Sequence, residues 1–373
     1  MKPHFSDPIL YPVSRIQASN RLVLAPMTNQ QSHSDGTASD EEIRFLELRA
    51  QGGFGTIVTC AMYVQQDGKA WQGQMGICHD SHVRSLQKLT KVLHKHRVRV
   101  IAQLFHAGSR ADPHVSGCRV WSASECFHHK TGQKIADAAT EEQIHTAIQS
   151  FEKASVYAAE AGFDGVEIHA AHGYLIHQFL SATTNQRTDQ WGDGADGRRR
   201  FLLEIVRAIQ KQVQGRLAIG VRISPEDFSF FSGIDFDESL ETALLLSRTE
   251  LDYIDVSLWD ALKNPDKYPQ GPKALTYFTK IKNHSNTLLR TAGGIRTREQ
   301  ADLVISLGAD LLAVGRAAIG CHDLPRRWLS NEPVLPPPYT EDHLRKEGLS
   351  TPFITYMKRW PNFVQQNIPS HER

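Results

Sequence analysis

The sequence has few cysteines and no long apolar segment. Its 373 residues include five cysteines, and no two of these form a CxxC pair. A disulfide scaffold, a zinc ribbon and a cysteine-ligated iron–sulfur cluster are therefore poorly supported. No apolar run reaches the roughly 18 residues that a membrane-spanning helix needs, and the N-terminus lacks the apolar core of a signal peptide. We therefore expect a reduced, cytoplasmic protein.

The chain also lacks an excess of charge of either sign. Lys and Arg number 42 and Asp and Glu number 41, which gives a formal net charge of +1. This balance provides no general attraction to nucleic acid or to an anionic membrane. Hydrophobic residues make up 40% and charged residues 22%, as is usual for a folded soluble protein. We expect a small-molecule partner, and the sequence leaves a homo-oligomer open.

Eight short apolar runs, each followed by a polar loop and usually by a helical stretch, organise most of the chain. Near-continuous apolar runs are expected of parallel strands that are covered on both faces. The runs occupy residues 21–27, 55–62, 98–105, 163–170, 217–224, 253–259, 286–294 and 309–317. Eight such units predict an α/β fold, a (β/α)8 TIM barrel with an N-terminal cap, and an open doubly wound sheet is the alternative.

Capping boxes mark the start of three of the intervening helices, because a hydroxyl and a side chain three residues later satisfy free N–H groups. The pairs are Ser39 with Glu42, Thr140 with Gln143, and Thr297 with Gln300.

Long loops and a proline-rich break interrupt the pattern. Residues 106–140 follow the third strand and residues 181–200 follow the fourth, and loops of this length are usually lids or binding loops. Residues 331–340 are rich in proline. We therefore expect a barrel over residues 1–330 and a C-terminal extension over residues 331–373 that packs on the barrel or on a partner.

The fourth strand ends in the densest group of reactive side chains. His169 and His172 are three residues apart and Tyr174 follows, so the three side chains can converge on one small acceptor. A metal half-site, or two surface histidines among the 18 in the chain, is the alternative. The sequence contains no HExxH motif, and no HxH follows the first strand, which disfavours a zinc hydrolase barrel. We predict no metal site.

The seventh and eighth strands end in glycines that allow a phosphate to approach backbone N–H groups. Gly294 ends one strand, and Gly315 with Arg316 ends the other, where barrels commonly bind phosphate. Simple tight turns are the alternative. Arg222 would add a permanent charge to the same opening, and the Gln103 carboxamide offers both a donor and an acceptor.

Taken together, these motifs resemble the old yellow enzyme family of FMN-dependent ene-reductases, and its bacterial branch in particular. The matching segments, within residues 5–330, are LAPMT, IAQLFHAG, DGVEIHAAHGYLIHQFLS, GVRIS, AGGI and AVGRA.

The resemblance implies non-covalent FMN at the mouth of the barrel, with NADH or NADPH as the hydride donor. The substrate would be an α,β-unsaturated carbonyl compound whose C=C bond is reduced, or a quinone. His169 and His172 would bind the substrate oxygen, and Tyr174 would be the proton donor. The residues implied to contact FMN are Pro26, Met27, Thr28, Cys60, Gln103, Arg222, Gly294, Gly315 and Arg316.

The chain departs from the family pattern at several positions. Thr28 stands where many bacterial members have cysteine, and Gln30 replaces a tyrosine that often contacts substrate, so we expect Gln30 to contact it here. Residues 191–201 depart from the usual loop motif, which indicates a different loop shape. Two other functions remain open: a non-redox lyase or isomerase acting on a sugar phosphate, and a flavin-binding protein without turnover.

Overall fold

Eight parallel strands form the centre of the computed structural model, which describes residues 3–128, 130–227, 233–283 and 285–366. Each predicted apolar run contains one strand. The strands are β1 (Leu22–Leu24), β2 (Thr56–Val58), β3 (Arg99–Phe105), β4 (Gly165–Ala170), β5 (Ala218–Ile223), β6 (Tyr253–Ser257), β7 (Leu288–Ala292) and β8 (Leu311–Val314).

The strands close into a barrel. Neighbours pair in parallel in chain order, and β8 pairs with β1 through Leu312 and Leu22. Because every edge is paired, the sheet leaves no open side. The (β/α)8 prediction is confirmed, and the doubly wound alternative is wrong.

Helices surround the barrel, as the apolar character of the strands requires. They are α1 (Asp40–Gln51), α2 (Asp80–His94), α3 (Glu141–Glu160), α4 (Gly194–Val213), α5 (Phe236–Ser247), α6 (Ala274–Phe278), α7 (Arg298–Ser306) and α8 (Leu324–Ser330). Further helices, of four to six residues, span Pro113–Ser116, Leu175–Leu180 and Arg316–Ile319. No described helix is long and apolar enough to cross a bilayer.

The capping boxes at Thr140 and Thr297 form as predicted. At Ser39, only one of the two hydrogen bonds of the capping box forms. The Ser39 hydroxyl accepts the Glu42 N–H at 3.0 Å, but the Glu42 carboxylate turns inward and accepts from Asn29 at 2.8 Å.

An N-terminal hairpin covers the end of the barrel where the strands begin. Its strands, Ile9–Leu10 and Gln17–Ala18, pair antiparallel. The Asp252 carboxylate, just before β6, accepts the N–H groups of Val13 and Ser14 at 3.0 Å each. This end is therefore closed, and ligands have access from the other.

The two predicted long loops contain more regular structure than expected. Residues 106–140 include a small sheet of Trp121–Ser122, Cys126–Phe127 and Lys134–Ala138. The second loop is shorter than predicted, because α4 begins at Gly194.

The C-terminal extension folds back on the barrel through helices Glu341–Lys346 and Thr351–Met357. Phe353 packs edge-on against Phe45 of α1, with ring centroids 5.2 Å apart. The fully buried Arg49 donates to the carbonyls of Ala318, Ile319 and Glu347 at 3.1, 2.9 and 2.6 Å. One guanidinium thus ties α1 to the segment after β8 and to the extension.

Replacing this guanidinium should destabilise the whole chain. We expect Arg49→Met to lower the free energy of unfolding by about 2–4 kcal/mol, because several buried carbonyls lose their donors. Urea denaturation measures this change. Arg44→Met, on the exposed face of the same helix, is the control and should change stability by less than about 0.5 kcal/mol. Equal stability of the two variants would contradict this role of Arg49.

Candidate functional site

A cavity of about 430 Å³ opens at the carboxyl ends of the barrel strands. Ligands bind at this end in TIM-barrel enzymes. The cavity brings together eleven of the residues singled out from the sequence: Pro26, Met27, Thr28, Gln103, His169, His172, Tyr174, Arg222, Gly294, Gly315 and Arg316.

Cys60 and Gln30 do not lie among the residues that line this cavity. Cys60 is buried in the core, where burial raises the pKa of its thiol well above the ordinary value. Its neighbour Ala61 lines the cavity instead. The predicted flavin contact of Cys60 and substrate contact of Gln30 therefore gain no support from the cavity.

A tight turn directly after β4 places the two histidines face to edge. His172 and Gly173 both have left-handed backbone, with φ of 60° and 74°. The His172 N–H donates to the Ser224 hydroxyl at 3.0 Å, and its carbonyl accepts from Arg110 at 2.6 Å. These bonds hold a conformation that few non-glycine residues adopt. The imidazole rings of His169 and His172 lie 5.1 Å apart.

Both imidazoles are uncharged. Burial lowers the pKa of each ring well below its ordinary value, and the nearby Arg222 guanidinium lowers it further. The Nδ1 atom of His169 accepts the Ala171 N–H at 3.3 Å. A neutral imidazole carries one N–H, so the His169 proton is on Nε2 and can be donated to a ligand.

Ser257 connects Arg222 to His172. Its hydroxyl accepts from Arg222 Nη2 at 2.9 Å and lies 2.8 Å from His172 Nε2. Because the hydroxyl oxygen accepts a hydrogen bond from the guanidinium, the hydroxyl hydrogen is available for donation to His172 Nε2. In that arrangement His172 carries its proton on Nδ1 as a second donor.

Tyr174 packs within a group of aromatic and cationic side chains. Its ring meets Phe105 edge-on at 4.4 Å and lies 5.3 Å from the His169 ring. The Arg110 guanidinium lies 4.3 Å from the ring centroid. The phenol is therefore held between an aromatic wall and a cation.

A network of buried charges lies beneath the cavity. The Glu167 carboxylate accepts from Gln103 at 2.8 Å and also contacts Arg290. Asp255 pairs with Arg290 at 2.9 Å and with Arg222 at 3.2 Å. These hydrogen bonds and ion pairs fix the positions of the Gln103 and Arg222 side chains, which line the cavity above the network.

The ends of β7 and β8 form a small basic recess. Gly294 has φ +64°, and a side chain on Gly293 would come within 2.5 Å of the Leu258 carbonyl. Arg316 lies beside Arg296, and no carboxylate in the described ranges is within 4 Å of either guanidinium. Burial lowers the pKa of Arg316, and the charge of Arg296 lowers it further. Two unpaired cations beside glycine turns suit a phosphate dianion.

Sequence reasoning missed several residues of the cavity wall. They include Trp71, Arg110, Ser257, Trp259, Arg296, Tyr356 and Trp360. Tyr356 and Trp360 come from the C-terminal extension, for which the sequence offered no motif. Within the described ranges, no three His, Cys, Asp or Glu side chains are grouped to hold a metal ion.

Comparison with known proteins agrees with this geometry. The sequence model of the NADH:flavin oxidoreductase / NADH oxidase family matches residues 8–333. The chain belongs to this family. It is 34% identical to a probable NADH-dependent flavin oxidoreductase, YqiG, of Bacillus subtilis, over 81% of this chain and 82% of that protein.

Two further relatives show the range of the family. The chain is 34% identical to the NADH:acrylate oxidoreductase of Vibrio harveyi, over 81% of this chain but only 31% of that longer protein. The solved structure of an old yellow enzyme homologue from Zymomonas mobilis superposes with a TM-score of 0.77 at 27% identity, covering 92% of this chain and 96% of that one. The predicted membership of the old yellow enzyme family is confirmed.

This NADH:flavin oxidoreductase family member is an enzyme that uses FMN and a nicotinamide donor. Its cavity fits the flavin chemically. The basic recess suits the phosphate, and the buried Arg222 guanidinium, which lines the cavity, suits a polar edge of the flavin ring. Gln103 and Arg222 would hold the pyrimidine ring, and the segment from Pro26 to Thr28 would line the isoalloxazine.

The buried histidines should not titrate in the range of free imidazole. Because their pKa is lowered, we expect His169 and His172 to remain neutral as the pH falls through about 6.5, where free histidine gains its proton. Histidine-selective NMR measures this, with His169→Gln and His172→Gln spectra assigning the signals. An inflection near pH 6.5 in either signal would contradict the neutral pair.

The two cavity arginines should affect FMN in different ways. Arg222→Met should weaken FMN binding and lower the midpoint potential, because a positive charge favours the negative charge that the flavin gains on reduction. Arg316→Met should weaken binding of FMN but not of riboflavin, which lacks the phosphate. Flavin titration and potentiometry test both expectations. An unchanged potential in an Arg222→Met protein that still binds FMN would place this charge elsewhere.

Proposed function

We propose that the enzyme reduces the C=C bond of α,β-unsaturated carbonyl compounds, and also reduces quinones, with hydride from NADH or NADPH. The observation that carries the proposal is the position of two neutral imidazole donors and one phenol on the wall that Gln103 and Arg222 also line. The Vibrio harveyi relative, named for acrylate, supports a reaction at an activated double bond.

The histidine pair binds the carbonyl oxygen. His169 Nε2–H and His172 Nδ1–H donate to this oxygen, which polarises the double bond and stabilises the charge that develops on the oxygen. Neutral donors suit this step, because a fixed imidazolium would hold a carboxylate or another anion as readily as an enolate. Ser257 and the Ala171 N–H keep each ring in the required tautomer.

Tyr174 supplies the proton. A flavin held by Gln103 and Arg222 would supply the hydride that is added to the β-carbon, taken originally from the nicotinamide. The Tyr174 hydroxyl, on the ring that Arg110 covers, protonates the α-carbon, and water then restores the proton. A quinone needs no proton on carbon, because its oxygens take protons from water.

The two alternative functions lose support. A non-redox lyase or isomerase does not fit a member of an oxidoreductase family. A flavin-binding protein without turnover has no use for a matched pair of neutral donors beside a phenol.

Separate measurement of the two half-reactions tests the proposal. Removing one preorganised donor to a developing oxyanion typically slows a reaction by about 10²–10³. His169→Ala and His172→Ala should therefore slow enone reduction by this factor, and flavin reduction by the nicotinamide should suffer less. Tyr174→Phe should slow enone reduction but spare quinone reduction. Stopped-flow absorbance follows each step.

His145→Ala is the matched control, because this histidine lies exposed on α3, away from the cavity. It should leave both half-reactions unchanged. Equal losses in both half-reactions for all three cavity variants would mean that these residues only support the fold or the flavin.

A further inference from the structure

A buried carboxyl group lies directly behind the wall of the cavity. The Glu42 side chain has no solvent exposure, although it belongs to the first turn of α1. It accepts a hydrogen bond at 2.8 Å from Asn29, which follows the cavity residue Thr28. Burial and the nearby Glu42 raise the pKa of the Cys60 thiol, and Ala61 beside Cys60 lines the cavity. The carboxyl group is therefore one layer behind two segments that form the wall.

This position of Glu42 costs stability in two ways. A complete capping box with Ser39 would stabilise the start of α1, and the inward turn of the carboxyl group gives up one of its two bonds. Burial raises the pKa of the carboxyl group to about 7, while hydrogen bonds with Asn29 and Ser32 act in the opposite direction. Among the described residues, no cation contributes to this pKa. A buried carboxyl group without a cation destabilises a folded protein, and a local rule broken at such a cost commonly marks a functional position.

The turn that follows Thr28 depends on the bond from Asn29 to Glu42. Gln30 has left-handed backbone, with φ of 57°, which few residues other than glycine adopt. The Asn29 Oδ1 atom accepts the Gln31 N–H across this turn at 3.3 Å. Because the Glu42 oxygen accepts from Asn29 Nδ2, the amide is oriented with Oδ1 toward Gln31. The carboxyl group thus fixes the amide that closes the strained turn.

The same turn joins α1 to the C-terminal extension. The Ser39 hydroxyl, at the start of α1, donates to the Gln31 carbonyl at 2.6 Å. The Gln31 side chain accepts the N–H of Ser350 at 2.9 Å, directly before the helix Thr351–Met357, which also lines the cavity. The turn is therefore held between two helices, and its conformation sets the position of the cavity segment that precedes it.

We infer that Glu42 is a positioning residue for FMN: through Asn29 it holds the segment from Pro26 to Thr28 in the conformation that lines the isoalloxazine. The inference concerns the flavin and does not depend on which compounds the enzyme reduces. It gives the buried carboxyl group a task that is separate from folding. FMN binding should therefore depend on this group more strongly than the stability of the chain does.

Glu42→Leu separates FMN binding from stability, because leucine fills the space but cannot accept a hydrogen bond from Asn29. We expect the Kd for FMN to rise about tenfold, the effect of one hydrogen bond to a charged group. The visible absorption bands of the bound flavin should also shift, because the displaced segment lines the isoalloxazine. The Tm of the FMN-free chain should not fall, since removal of the buried carboxyl group offsets the lost bond. Fluorescence titration with FMN, absorbance and calorimetry measure these three quantities.

Glu42→Gln should restore FMN binding and the flavin spectrum, because its side-chain oxygen still accepts from Asn29. Glu41→Leu, on the exposed face of α1, is the matched control and should change neither quantity.

Two results would overturn the inference. One is wild-type FMN binding and an unshifted flavin spectrum in Glu42→Leu. The other is weakened binding together with a lowered Tm that Glu42→Gln does not restore, because the carboxyl group would then serve the fold alone. If Glu42→Leu fails to fold, Asn29→Leu removes the same hydrogen bond from the other side. It should weaken FMN binding to the same extent, and unchanged binding in that variant would equally overturn the inference.

Discussion

The buried ion pairs inside the barrel are the constraint on which the site depends. Glu167, Asp255, Arg222 and Arg290 lie almost without solvent contact beneath the cavity, and their formal charges cancel. Each charge would be costly in this position without its partners. The four side chains come from different strands, so the network can be satisfied only when the strands adopt one register, and that register sets the position of Arg222 and Gln103.

The same network determines the state of the catalytic groups. Arg222 donates a hydrogen bond to the Ser257 hydroxyl, and that hydroxyl is hydrogen-bonded in turn to His172. Burial of the two rings and the positive charge of Arg222 keep both imidazoles neutral, although several carboxylates lie nearby. The proposed chemistry therefore depends on the burial of the two histidines and on the fixed cation beside them, as well as on the imidazole rings themselves. A histidine pair on an exposed loop would titrate and lose its defined tautomers.

Patterns confined to short stretches of sequence were sufficient for the fold and for most of the site. The eight apolar runs locate the strands, and strand ends in a barrel must converge, which brings Gln103, His169, Arg222 and Gly315 together. Properties that depend on tertiary contacts escaped prediction. Glu42 leaves its capping box because Asn29 is a buried partner that no local pattern reveals. Tyr356 belongs to a short polar-looking segment, whose buried helix face is formed by Phe353, Ile354 and Met357.

The extension that supplies Tyr356 lies outside the repeating units that form the barrel. The cavity is thereby built from separate stretches of the chain, joined through contacts such as those of Arg49. Mutations in the last segment would reshape the cavity wall without changing the pairing of the barrel strands. Exchange of the tail would thus alter the space open to a ligand, while the strand ends stay under separate selection.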